Sequence, residues 1–125
     1  MKSIIASITV ATGLMIAGSA MADDMPPLAK QHNCTACHAI DHKVVGPAWV
    51  DVAKKYKGAK TYKYSARGSA DTSAKELPLV EGLMVKVSKG GSGNWGSMPM
   101  IANDPAAKSQ ADIKKLVEFI LGLAK

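Results

Sequence analysis

Cys34-Thr35-Ala36-Cys37-His38 contains both cysteines of the chain and follows them at once with an imidazole. On a helix, residues three apart share a face, so the two thiols can meet two reactive points on one flat ligand. C-x-x-C-H is the spacing of covalent haem c attachment: the thiols join the vinyl groups, and the adjacent His is the proximal ligand to iron. Other uses of a cysteine pair ask for different surroundings. A thioredoxin-like redox site needs a strand before the motif, within a βαβ pattern. A structural zinc site needs two more ligands, and His32 and His42 are badly placed to supply them. A disulfide across a two-residue gap would be strained and reducible, and it would leave His38 without a role.

The start of the chain sets the compartment. Met1-Lys2-Ser3 precedes an apolar run from Ile4 to about Ile16, and Ala20-Met21-Ala22 stands before Asp23-Asp24. That order predicts a secretory signal peptide over 1–22 and a mature domain over 23–125. The apolar run is short of the ~20 residues a spanning helix needs; an uncleaved membrane anchor is the rival reading. For a bacterial source, export means the periplasm. The formal net charge of +6 becomes +5 once Lys2 leaves with the leader. Two haem propionates would subtract about two charges. The remaining excess favours acidic partner surfaces or anionic lipid. Export, and the lack of aromatic–basic interleaving, speak against nucleic acid.

The elements that must position the motif are short helices. Residues 26–36 read as a first helix, with Asp23 and Asp24 at its N-terminus and Leu28 as its anchor. Gly46-Pro47 is a turn, and Trp49, Val52 and Ala53 give a helical pattern to about Lys55. Residues 58–79 read as a solvated loop, with a helical turn around 73–77. Val80, Leu83, Met84 and Val87 recur at helical spacing, predicting a helix over 79–88, ended by Gly90-Gly91-Ser92-Gly93. Ser109 with Asp112 makes a capping box for a last helix. Its apolar stripe is Ile113, Leu116, Val117, Ile120 and Ala124, with Phe119 beside it. The pattern shows neither strand alternation nor a second domain. A haem would serve as the core that such long loops pack on.

In three stretches the chain resembles the small bacterial class I monohaem cytochromes c. CTACHAIDHKVVGPAWVDVAKK (34–55) resembles their haem-attachment segment and Val-Gly-Pro turn. GGSGNWGSMPMIAN (90–103) resembles their Trp-Gly-x-x-Pro-Met loop, and the last helix resembles the one that crosses the first. The resemblance implies an all-α cytochrome c fold, with several short helices and long loops wrapped around one covalently bound haem c. It implies thioethers at Cys34 and Cys37, and axial iron ligands at His38 and Met100. Pro47 would pack near His38, with the Gly46 carbonyl orienting the imidazole. Trp95 would point its indole N–H at a propionate, Asn103 would bond the methionine sulfur, and Ala29 would allow a close helix crossing opposite Phe119. The sequence departs from the family pattern in three ways. Residues 58–80 are longer than in compact members, forming either a lobe near the propionates or a surface loop. Lys86 stands where compact members often carry Arg near the propionates, and lacks its bidentate fork. Met98 competes with Met100 for the iron.

A soft thioether suits the sixth site of the haem, and a Gly-rich loop gives Met98 and Met100 less reason than Met84 to be core filler. His32 and His42 read as surface residues, and Trp49 as pocket wall. The run from Lys54 to Lys63 is either plain solvation or a docking patch. The function these readings converge on is one-electron transfer by a monomeric periplasmic carrier, not an enzyme. It would pass electrons between a respiratory donor and a terminal oxidase or reductase, through acidic docking surfaces on its partners. The rival classes are a haem peroxidase or gas-binding cytochrome, which needs an open sixth position, and a cytochrome subunit of a larger redox complex.

Overall fold

A computed structural model describes residues 24–64 and 75–124. The expected signal segment lies outside these residues. The elements are α1 (Pro27–Gln31), a 3-10 turn (Cys34–Ala36), α2 (Trp49–Lys55), β1 (Thr61–Tyr64), β2 (Lys75–Pro78), α3 (Leu79–Lys89) and α4 (Gln110–Gly122). The architecture is mainly helical, as expected, with one addition: β1 and β2 pair antiparallel, Thr61 opposite Pro78 and Tyr64 opposite Lys75.

The first helix is shorter than its pattern predicts. It ends at Gln31 because Asn33 takes a left-handed conformation (φ 56°), which Asn tolerates better than most residues. The chain then re-enters a 3-10 turn, and the His38 amide closes on the Cys34 carbonyl at 2.9 Å. The α2 and α3 segments form where their apolar spacing placed them.

Residues 61–64 and 75–78 correct the reading of 58–79 as a solvated loop. Burial alternates along β1: Thr61 and Lys63 are exposed, Tyr62 and Tyr64 buried. Period-two alternation puts both tyrosines on one face, where they pack with Leu83, Ile113 and Val117 between α3 and α4. Gly82 lets α3 come this close, since a Cβ there would lie 2.6 Å from the Cβ of Tyr62. Burial, then the nearby Tyr56, pushes the Tyr62 phenol above the ordinary tyrosine range.

A second cluster joins Ala29, Trp49 and Leu116, with Phe119 and Cys34 packed against it. Ala29 is fully buried, so α1 can sit close to α4. Trp49 and Phe119 meet edge to face, with centroids 6.1 Å apart, a favoured aromatic geometry. His32 is not a free surface residue: its Nε2 lies 3.2 Å from Asp112 Oδ2. That pairing takes Asp112 out of the expected capping box, and Ser109 makes no side-chain cap.

Asp104 instead holds the amides that lead into α4. Its carboxylate accepts from the Lys108 amide (2.7 Å), the Ser109 amide (2.9 Å) and the Gln110 side chain (2.7 Å). A carboxylate with two oxygens makes stronger bonds to these donors than a hydroxyl can. Burial pushes the Asp104 pKa up, but the hydrogen bonds and the His32 charge outweigh it, and the net shift is down. A lowered folded-state pKa stabilises the fold above the unfolded value near ~3.9, and that contribution fades as the pH falls through the folded pKa. Asp104→Asn should therefore lower the denaturation midpoint at neutral pH. The gap between the two proteins should shrink below about pH 4; a gap unchanged by acid would mean that the carboxylate charge is not its source.

Candidate haem site

The attachment motif sits on a turn braced by backbone bonds. The Val45 and Gly46 amides both donate to the Cys37 carbonyl, at 3.2 and 2.8 Å. The Trp49 and Val50 amides reach Ala39 and Ile40 at 3.0 and 2.9 Å, tying α2 to the segment after His38. His38 Nδ1 lies 2.8 Å from the Pro47 carbonyl. A carbonyl can only accept, so Nδ1 carries the proton and Nε2 keeps its lone pair. The acceptor is thus Pro47 itself, rather than the Gly46 carbonyl expected from the sequence. Gly46 contributes by its missing side chain, since a Cβ there would run into the His38 ring. Trp49 flanks the same ring, with centroids 6.2 Å apart.

His38 opens on a cavity of about 410 Å³, which Cys37, Trp49, Met98 and Met100 also line. That volume is in the range of small-molecule and cofactor pockets. Cys34 stands just behind, half-buried against the cluster of Ala29, Trp49 and Leu116. Burial first, then the neighbouring Cys37, raises the Cys34 pKa against a lowering backbone hydrogen bond, so this thiol stays protonated at neutral pH. The cysteines are not joined to each other.

The loop after α3 supplies the other sulfur. Gly91 and Met100 exchange both backbone bonds, at 2.9 and 3.0 Å, and a further bond from Gly93 N to Gly96 O (2.9 Å) closes the loop tip. Met98 is 62% exposed, whereas Met100 is half-buried. Trp95 also borders the cavity, packed under the Lys55 ammonium at 4.1 Å from its ring centroid and edge-on to Tyr56. Asn103 spends its side-chain amide on the Ile101 carbonyl (3.2 Å) and, more weakly, on Val87 (3.5 Å). The expected bond from Asn103 to the methionine sulfur is therefore replaced by bonds to backbone. Lys86 is buried and donates to the Gly91 carbonyl at 2.6 Å; burial lowers its pKa. Sequence reasoning missed Tyr64, whose hydroxyl donates to the Gly90 carbonyl at 3.1 Å. The alternation Tyr62-Lys63-Tyr64 was the available signal.

An imidazole with a free Nε2, a thioether and the Cys37 thiol around one cavity, with the Cys34 thiol on the same turn just behind, fit a haem bound through cysteine. The cytochrome c family model matches residues 17–124. Cytochrome c-551 of Allochromatium vinosum is 42% identical over 112 residues, covering 90% of this chain and 97% of that one. Cytochrome c-552 of Hydrogenobacter thermophilus is 40% identical, covering 86% and 88%. The crystal structure of Nitrosomonas europaea cytochrome c552 superposes with a TM-score of 0.54 at 38% identity, covering 77% of this chain and 95% of that one. The chain belongs to the cytochrome c family. It is of the small bacterial class I monohaem type, and carries one covalently attached haem c.

The contact between Gly46 and His38 gives a direct check. Gly46→Ala would force the imidazole off the Pro47 carbonyl or shift the turn, an overpacking cost of about 1–3 kcal/mol. The expected result is a lower thermal midpoint and a smaller haem-to-protein ratio in the exported product. Unchanged loading and stability would show that the turn absorbs a methyl group, and that His38 is not sterically fixed by Gly46.

Proposed function

We propose that this chain is a one-electron carrier of the periplasm, with His38 and Met100 as the axial ligands of its haem iron and Cys34 and Cys37 as its thioether attachments. Bound haem c supplies an iron that takes up and returns a single electron. His38 Nε2 offers its lone pair, and the bond from Nδ1 to Pro47 holds the ring orientation and raises its basicity. Met100 offers a soft sulfur, which favours the ferrous state and raises the potential relative to a second imidazole. Trp49, with Val117 and Ile120 of α4, gives the cavity apolar walls. The observation that carries this reading is that His38 and Met100 face one cavity, each held by backbone bonds of its own loop. With both axial positions filled from the chain, the work is electron transfer rather than substrate turnover.

The leader pattern over 1–22 supports export, with a mature chain starting at Asp23. Among the described residues no helix is long and apolar enough to cross a membrane. Lys54, Lys55, Lys57, Lys60 and Lys63 are exposed around the end of α2 and β1, which supports docking on acidic surfaces of a respiratory donor and of a terminal oxidase or reductase.

The ligand assignment is tested by two substitutions. Met100→Ala should abolish the weak red absorption band of sulfur–iron(III) ligation, move the ferric iron toward high spin and lower the potential. Met98→Ala should keep the band, since its side chain lies mostly in solvent. Loss of the band in the Met98 variant alone would move the ligand by two residues. Docking is tested by salt: surface charges are screened over ~8 Å at physiological ionic strength, so transfer rates with an acidic partner should fall as salt rises. Rates independent of salt would assign the lysines to solubility and docking to an apolar patch.

A further inference from the structure

Two side chains from different elements grip the root of the Met100 loop. Tyr64, the last residue of β1, donates to the Gly90 carbonyl at 3.1 Å. Lys86, on α3, donates to the next carbonyl, that of Gly91, at 2.6 Å. The Gly91 carbonyl also accepts the Met100 amide at 3.0 Å, so both of its lone pairs are engaged. Both side chains are buried at these contacts. Lys86 is 8% exposed. A charge-assisted bond from an ammonium to a carbonyl is stronger than a neutral one. A third contact reaches the loop tip, where Asn94 Nδ2 donates to the Lys63 carbonyl of β1 at 3.0 Å. Gly90 itself lies so close to the returning strand that a Cβ would strike the Met100 carbonyl.

The loop needs such anchoring. Gly90, Gly91, Gly93 and Gly96 all have positive φ, and glycine gains more freedom than other residues when a segment opens. Nothing in the 90–100 stretch packs Met98 inside, and Ile101 beyond it is 69% exposed. The thioether is therefore presented by a segment whose order comes from its hydrogen bonds.

We propose that Tyr64 and Lys86 are positioning residues that clamp Gly90 and Gly91, so that the Met100 sulfur is hard to displace from the iron. The pairing of β1 with β2 then serves the site, because β1 braces the ligand loop at both its root and its tip. This rests on Met100 as the distal ligand.

The test uses the ferric holoprotein and added imidazole, which competes with a thioether for iron. Tyr64→Phe keeps the ring that fills the core, and Lys86→Met keeps an apolar stem. A neutral hydrogen bond corresponds to about a fivefold change in an equilibrium. Imidazole affinity should rise by about that factor in Tyr64→Phe, and on the order of tenfold in Lys86→Met, whose lost bond is charge-assisted. The sulfur–iron band should vanish at a lower temperature in both variants, ahead of the loss of helical signal. Amide exchange should quicken at Met100 and Gly91 but not within α4. Should Lys86→Met fail to fold, Tyr64→Phe decides alone. A wild-type band, with imidazole affinity and Met100 exchange unmoved in Tyr64→Phe, overturns the clamp and leaves the ligand assignment standing. A wild-type protein without the band overturns both.

Discussion

The bond from His38 Nδ1 to the Pro47 carbonyl is the constraint on which the site depends. It fixes which nitrogen carries the proton, and hence which one has a lone pair to give. It also fixes the plane of the ring. Everything around it serves that geometry. The Cys37 carbonyl gathers two amides to turn the chain back, Gly46 leaves room for the ring, and Pro47 presets its own φ. Trp49 then starts α2 and forms one side of the cavity, in the same cluster that buries Ala29 and Leu116. A single turn thus links the two cysteines, His38 and the crossing of α1 with α4.

The other side of the cavity is built differently. It is a glycine-rich loop with little apolar packing of its own, held by the paired Gly91 and Met100 backbones and by side chains reaching in from α3 and β1. The return leg is tied to the end of α3, where the Asn103 and Asp104 amides donate to Val87 and Ser88 at 3.1 and 3.2 Å. Asp104 then starts α4. The carboxylate that holds the lead into the last helix therefore also ends the Met100 loop, so the start of α4 and the loop position are coupled through one residue. Such coupling suits a protein whose metal must change charge without changing its surroundings.

Much of this was legible in the residues. C-x-x-C-H carries its own chemistry, and Pro99-Met100 follows a turn-forming run, so both loops could be placed before any packing was known. The α2 and α3 helices followed from apolar spacing, and Ala29 from the family resemblance. The failures have physical causes. Tyr62 and Tyr64 are separated by an exposed lysine, and with only four residues per strand the alternation was too short to outweigh the surrounding polar residues. The capping box at Ser109 was correct in spacing, but a carboxylate five residues earlier offered a stronger acceptor, and His32 drew Asp112 away across a sequence distance of 80. Asn103 was assigned to sulfur, but its side-chain amide reaches the Ile101 and Val87 carbonyls. For the tyrosines and for Asp112, a partner distant in sequence outweighed a local rule.

The proposed electron transfer without turnover rests on His38 and Met100 both binding the haem iron. Proton NMR of the ferrous protein tests this most directly, because a methionine held over the face of a haem has its side-chain protons shifted far upfield by the ring current. The spectrum should contain one methionine methyl signal well upfield of all other methyl groups, assigned to Met100, together with His38 ring protons in the same shifted region. A shifted signal assigned to Met98, or a ferrous spectrum with no shifted methionine at all, would contradict that ligation.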